Sequence, residues 1–361
     1  MKRLILCLTA GLLAFAGPAA AKEYLLTGAK PNRIVLVDPA ARKVEKVFEI
    51  PGKGAAPTAI APSPDGKVAY VLTNHLESVV GISLDDGKVV FRADMSKPPE
   101  RVKSIFSLEV SPDGKELYVF QSPVLLGLGE YRVQDTRIAV YDTSAGLKAR
   151  PARTFPAPRR TAVLVASKDG QTLYALSWDL YALDPKTGAV KGVHKILNWE
   201  RPNYAPPDIL DFWPQFEQAA VFSTPYFAAR TDKDPATDPS AFRTGMLTLD
   251  LKTGEVEMDD FEDTSAIIFS SVVNPARRNE VFSVYTQLSK IDRAKDELVK
   301  RVELPHTYYA INISGDGKEV YVGGTMCDIG IHSTETLERL GSVEMPDCGD
   351  MGVASLRVVQ R

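Results

Sequence analysis

The feature that most constrains this chain is a pair of short elements that recur along it. The first is a tight turn leading into an apolar strand. Ser63-Pro64-Asp65-Gly66 precedes Val68 to Leu72, and Ser111-Pro112-Asp113-Gly114 precedes Leu117 to Phe120. Ser167-Lys168-Asp169-Gly170 precedes Leu173 to Leu176, and Ser314-Gly315-Asp316-Gly317 precedes Val320 to Val322. Asn274-Pro275-Ala276-Arg277, before Val281 to Val284, is a weaker copy. Asp-Gly supports the positive φ angles that join antiparallel strands tightly.

The second element is an alternating strand that ends in Asp and enters a polar turn. Its anchors are Asp38, Asp85, Asp142, Asp184, Asp250 and Asp292, with Ser333 in a seventh copy. Their spacings are 47, 57, 42, 66, 42 and 41 residues. The shortest match a four-stranded propeller blade, and the longer ones imply insertions. The expected fold is all-β: a seven-bladed β-propeller of four-stranded antiparallel blades, with strands A to D in each. The first blade lacks an A strand, because Glu23 to Thr27 reads as B. The spare segment Val353 to Val359 is expected to complete that blade and close the ring, which removes exposed sheet edges. An open array or a sandwich fits seven regular copies poorly.

Strand order assigns loops to faces. In a meander the A–B and C–D turns share one face, and the B–C and D–A connections share the other. The A–B and C–D turns here are short. The extra length falls in Ser122 to Arg137 (B–C, with Leu125, Leu126, Leu128 and Tyr131), Arg230 to Arg243 (B–C) and Asn198 to Pro207 (D–A). The last leads to an A strand expected around Ile209 to Trp213. All three insertions belong on one face, where a rigid scaffold can position loops for function. Candidate interface or cavity-wall residues on it are Tyr131, Trp178, Asp179, Asn198, Trp199, Asn203, Tyr204, Asp211, Trp213 and Phe216. Trp and Tyr are favoured interface anchors, although the same aromatics could simply pack the insertions onto the rim.

The first 21 residues have the makings of a secretory signal: Lys2-Arg3, an apolar run from Leu4 to Gly17, and Ala19-Ala20-Ala21. Cleavage after Ala21 would leave residues 22–361 as one propeller domain in an exported, periplasmic protein; an uncleaved anchor is the alternative. The formal net charge is −3. Losing Lys2 and Arg3 makes the chain more acidic still, which argues against a nucleic-acid partner. No later apolar stretch is long enough to span a bilayer. Cys327 and Cys348 remain after cleavage. An even count in an oxidising compartment favours a disulfide over free thiols. Both fall in the last blade on the insertion face.

Self-sufficient chemistry is not evident. There is no Cys-x-x-Cys-His, His-Glu-x-x-His or Gly-x-Ser-x-Gly motif, and His75, His194, His306 and His332 are scattered. No catalytic residue, cofactor or metal is therefore expected in this chain.

Tyr70-Val71-Leu72-Thr73-Asn74 is similar to the Tyr-Val-Thr-Asn propeller repeat of exported proteins. Three rarer stretches resemble the β subunit of quinohaemoprotein amine dehydrogenase. They are Ala175-Leu176-Ser177-Trp178-Asp179-Leu180, Asn198-Trp199-Glu200-Arg201-Pro202-Asn203-Tyr204 and Asp208-Ile209-Leu210-Asp211-Phe212-Trp213-Pro214-Gln215. The Cys327 and Cys348 pair fits as well. The resemblance spans the mature chain. It implies a periplasmic heterotrimer with a dihaem cytochrome c α subunit (haem c) and a small γ subunit carrying cysteine tryptophylquinone. The propeller would hold the γ subunit and help wall a cavity for a primary amine. Two alternatives are a subunit like the methylamine dehydrogenase heavy chain, and a stand-alone binding or lactonase-like propeller.

Overall fold

The computed structural model describes residues 21–52, 57–209, 213–263 and 266–361. The expected signal segment lies outside them, apart from Ala21. Among the described residues no helix is long and apolar enough to cross a membrane. Seven antiparallel sheets follow one another along the chain, and the fold is a seven-bladed β-propeller.

Closure occurs where expected. Leu356–Gln360 pairs antiparallel with Glu23–Ala29, in the register Leu25 to Val358. Glu23–Ala29 then pairs with Arg33–Asp38, which pairs with Lys43–Glu49. Reciprocal bonds between the Lys22 and Arg361 backbones extend the join. The A strand of blade one thus comes from the C-terminus and the other three from the N-terminus.

Alternation explains why the B and C strands are apolar on almost every residue. In blade one, Leu26, Ile34 and Leu36 pack toward blade two, whereas Leu25, Val35 and Val37 pack toward blade seven. Each sheet is buried on both faces, so both sets of alternating side chains leave water. The core is accordingly a ring of seven apolar clusters among the described residues, one at each blade-to-blade contact. D strands form the rim and are mostly exposed, as in Val190–His194.

Turn chemistry fixes the short-loop face. In each of the four strong A–B turns the Ser hydroxyl donates to the Asp two residues on and accepts the backbone N–H five residues on. The turn glycines, Gly66, Gly114, Gly170 and Gly317, have φ between 67° and 74°. The C–D turns are held by the anchor side chain accepting backbone N–H groups, as at Asp184 and Asp250. Ser333 does this through its hydroxyl. In blade two the acceptor is Ser83 rather than the expected Asp85, because the C strand ends at Ser83.

Blades three and five carry the elaborations. In blade three the B strand, Glu116–Leu126, runs past the blade and pairs with Glu100–Lys103 and Tyr131–Val133. The insertion expected as a loop is therefore largely a hairpin. Blade five shows three strands, Val221–Ala229, Phe242–Asp250 and Val256–Glu262. Residues 210–212 of its expected A strand lie outside the described residues. Residues 203–208 pair with the far half of the B strand instead, through bonds between Asn203 and Thr231, Ala205 and Ala229, and Asp208 and Phe227.

Candidate functional site

The insertion face is continuous across blades three to five. Its first part is the blade-three hairpin. Leu128 at its tip is fully exposed and Tyr131 is 77% exposed, with Leu126 and Val133 also open to water. Arg159 Nη2 donates to the Gln134 carbonyl at 3.4 Å, and the Ser177 hydroxyl donates to the Arg159 carbonyl. These bonds tie the hairpin to the blade-four loop that carries Trp178.

Trp178 is 46% exposed, and the Arg160 guanidinium lies 3.7 Å from its ring centroid. The next residue does the opposite job. Asp179 is buried and accepts the N–H groups of Ile196 (2.7 Å) and Leu197 (3.0 Å). It fixes the start of the Asn198 insertion. Ser177-Trp178-Asp179 therefore presents an aromatic outward and anchors the neighbouring loop inward.

The insertion folds around Trp199. Its indole N–H donates to the Ala205 carbonyl at 3.0 Å, and its ring meets Tyr204 and Tyr226 edge-on at 6.1 and 5.8 Å. Arg201 stacks 3.9 Å from the Tyr204 centroid and binds Asp260 through both terminal nitrogens, at 2.7 and 2.5 Å. Asp260 also accepts the Tyr226 hydroxyl at 2.6 Å. Burial pushes the Asp260 carboxyl up, but the bonds from Arg201 and Tyr226 outweigh it and hold the group below its ordinary value. Gly245 makes this possible, because a Cβ there would run into the Tyr226 ring. Asn198 and Asn203 are exposed, and Asn203 has φ of 63°, a left-handed turn that Asn tolerates. Trp199 and Tyr204 are half-buried and hold the insertion to blade five.

A third part lies at the axial mouth. Trp213 is only 2% exposed; its indole N–H donates to the Val353 carbonyl at 2.9 Å. It stacks on Tyr309 at 6.2 Å and meets Phe269 edge-on at 6.1 Å. Tyr285 joins them, 4.5 Å from Phe269. Phe269, Tyr285 and Tyr309 are partly exposed and were not singled out in the sequence, since Phe269 and Tyr285 lie in short connections of blade six and Tyr309 in the innermost strand of blade seven. The adjacent tyrosines Tyr308-Tyr309, opening an A strand, are the signal that could have flagged them.

Beside this mouth Cys327 and Cys348 form the disulfide, with Cα atoms 4.6 Å apart. Neither thiol is free to carry a thioether. His306 Nε2 lies 2.7 Å from Asp328, which also accepts Tyr308 and Arg339. Among the described residues no group of three or more His, Cys, Asp or Glu is placed to hold a metal.

The expected site residues thus divide. Tyr131 and Trp178 are presented to solvent; Asp179, Trp199 and Tyr204 shape the loops; Trp213 is enclosed. Asp211 lies outside the described residues. Phe216 does not belong to this face. It lines a cavity at the opposite mouth, because the chain crosses from one end of the axis to the other between Trp213 and Phe216.

These observations define a seven-bladed propeller with one elaborated face. No protein-family model matches the chain, and no curated protein matches it by sequence. Solved structures share the architecture. A chain of hydrazine synthase from Kuenenia stuttgartiensis is 15% identical, with a TM-score of 0.55, over 87% of this chain and 90% of that one. A functionally unknown protein from Desulfotomaculum acetoxidans is 11% identical, with a TM-score of 0.57, over 93% of this chain and 99% of that one. At such identities the likeness speaks for the fold alone.

Proposed function

We propose that this chain is the β subunit of a periplasmic quinohaemoprotein amine dehydrogenase, itself without a cofactor. In this reading the insertion face holds the quinone-bearing γ subunit and the dihaem cytochrome c α subunit. It also forms part of the wall around a primary amine substrate. Cysteine tryptophylquinone and haem c belong to the partners, and the two cysteines beyond the expected signal segment, Cys327 and Cys348, are committed to this chain's own disulfide.

The observation that carries the proposal is the apolar hairpin next to Trp178. Leu126, Leu128, Tyr131, Val133 and Trp178 form an exposed patch on the insertion face, beside the Asn198 to Tyr204 stretch. Exposed aromatic and aliphatic groups on a rigid, hydrogen-bonded base suit a stable partner, since little conformational entropy is lost on docking. The half-buried Trp199 cluster supplies the rigidity.

Purification of the native assembly tests the reading. Haem staining and quinone staining of the separated subunits should reveal a c-type cytochrome and a small quinone-positive chain with this one. Recovery of the chain as a monomer lacking both would count for a stand-alone binding propeller. A single small quinone chain without covalent haem would count for an assembly like methylamine dehydrogenase.

A further inference from the structure

The turn that enters blade four carries two arginines to which the proposed function gives no role. Arg159 and Arg160 are exposed between the D strand of blade three, Arg153–Pro156, and the A strand of blade four, Val163–Ala166. A D–A connection belongs to the insertion face, and this one lies next to the apolar hairpin. The turn is held from inside. The buried Thr161 donates its hydroxyl to the Pro158 carbonyl at 2.7 Å, and the Ser177 hydroxyl donates to the Arg159 carbonyl. Arg160 has φ of 66°, and its guanidinium lies flat enough over Trp178 to sit 3.7 Å from the ring centroid.

Charge pairing sets these two apart. On the insertion face of blades three to five, Arg101, Arg132, Arg137, Arg201, Arg230 and Arg243 each bind a carboxylate of this chain. Lys195 likewise binds Glu200. Arg159 and Arg160 form no ion pair among the described residues. Arg159 reaches only the Gln134 carbonyl, at 3.4 Å, and Arg160 only the Trp178 ring. Asp135, exposed beside Gln134, pairs with neither. The chain as a whole has a formal net charge of −3, so two adjacent unneutralised cations stand out against it.

We propose that Arg159 and Arg160 receive the carboxylates of an acidic segment on a partner protein docked over the hairpin, an inference that rests on the reading of this face as a subunit interface. A guanidinium stacked on an indole keeps its edge N–H donors free, in the fork that matches a carboxylate. The stack and the tied turn hold that fork in place before binding, so little freedom is lost when it is used. Leu128, Tyr131 and Val133 take the apolar side chains that flank the acidic ones. The pair also gives an acidic partner a point of attraction on an acidic chain, and so fixes which way round it docks. Arginine and tryptophan together are the residue types that most often carry such a contact.

Recovery of the tagged chain from its native host tests this in two arms. In the first, Arg159→Glu with Arg160→Glu should retain about tenfold less partner protein than the parent at equal salt, with an unchanged melting temperature. Arg150→Glu with Lys186→Glu alters the net charge equally on the short-loop face and should retain about as much as the parent. In the second arm, Arg160→Lys is treated with a carbodiimide, which joins amines to carboxylates. Peptide mass spectrometry should find position 160 linked to an Asp or Glu of the recovered partner, and no such link from Arg150→Lys. The proposal is overturned if the reversed pair retains partner at the parental level, if position 160 forms no link, or if the material held there is lipid or is removed by nuclease. Haem-bearing and quinone-bearing chains kept by the reversed pair would sink the proposal and leave the subunit reading intact. A link from position 160 to a protein with neither group would sink that reading and leave the proposal standing. A parent chain recovered alone would overturn both.

Discussion

The two mouths of the same axis are built on different principles. The short-loop mouth is made of repeated turns in which Ser, Asp and Gly do the same work blade after blade, and its centre is ionic: Arg357, Glu217 and Glu109. The insertion mouth repeats nothing. Its centre is aromatic, with Trp213 enclosed by Phe269, Tyr285 and Tyr309. Turns that must reverse the chain in a few residues are held to one chemistry, whereas long connections can diverge once the ring is closed. The difference separates a mouth built by repetition from one built by divergence, and substitutions can break it.

The largest effect is expected at the ionic centre. Arg357→Ala leaves Glu217 and Glu109 buried without a cation and should cost about 3–5 kcal/mol, read from urea unfolding near pH 7. An effect below 1 kcal/mol would mean that water solvates the cluster. Next comes the insertion mouth's own staple. Replacing Cys327 and Cys348 together by Ser removes a link with a sequence separation of 21. The loss should be about 3 kcal/mol by the chain-entropy argument. A variant as stable as the parent would show that the loop is fixed by its contacts alone.

Glu109 separates the mouths by pH. Its raised pKa means that the folded chain holds a proton the unfolded chain has already lost. The folding advantage of that proton is complete below pH 4.5 and fades as pH rises through about 7. Glu109→Gln should flatten this part of the stability profile, by on the order of 2 kcal/mol. Equal slopes for parent and variant between pH 5 and 7.5 would refute the assignment. The smallest stability effect belongs to Trp178→Ala, expected within about 0.5 kcal/mol because the ring is half in water. Trp199→Ala, which removes a ring packed on Tyr204 and Tyr226, should cost about 2 kcal/mol or more. Similar losses for the two would erase the distinction between a presented and a packing aromatic.

Much of the architecture was legible because it depends on local chemistry. Ser63-Pro64-Asp65-Gly66 and its copies specify turns without reference to the rest of the chain, and the unmatched strand at the C-terminus left one place to go. The disulfide followed from parity and from loops on one face. The site was harder to read. Trp178 and Trp199 look alike in sequence, yet the buried Asp179 turns the first outward and the Ala205 carbonyl pulls the second in. Phe216 lies three residues from Trp213 but at the opposite mouth, since the chain there runs extended from one end of the axis to the other without joining a sheet. The shift from Asp85 to Ser83 shows the same limit on a small scale: either side chain could have held the turn, and strand length chose. A charge inside an otherwise apolar inner strand, as in Leu108-Glu109-Val110 and Leu356-Arg357-Val358, was a readable signal of the ionic centre.

A paired substitution tests the central claim, that partners bind the insertion face and not the short-loop face. Leu128→Asp with Tyr131→Asp places charge on the apolar hairpin, and Lys168→Asp with Lys186→Asp alters the other face. Tagged forms of each would be recovered from their native host, with unchanged melting temperature as the control. The account predicts that the hairpin variant loses the haem-bearing and quinone-bearing chains while the lysine variant keeps them. Retention by the hairpin variant, or loss by the lysine variant alone, would contradict it.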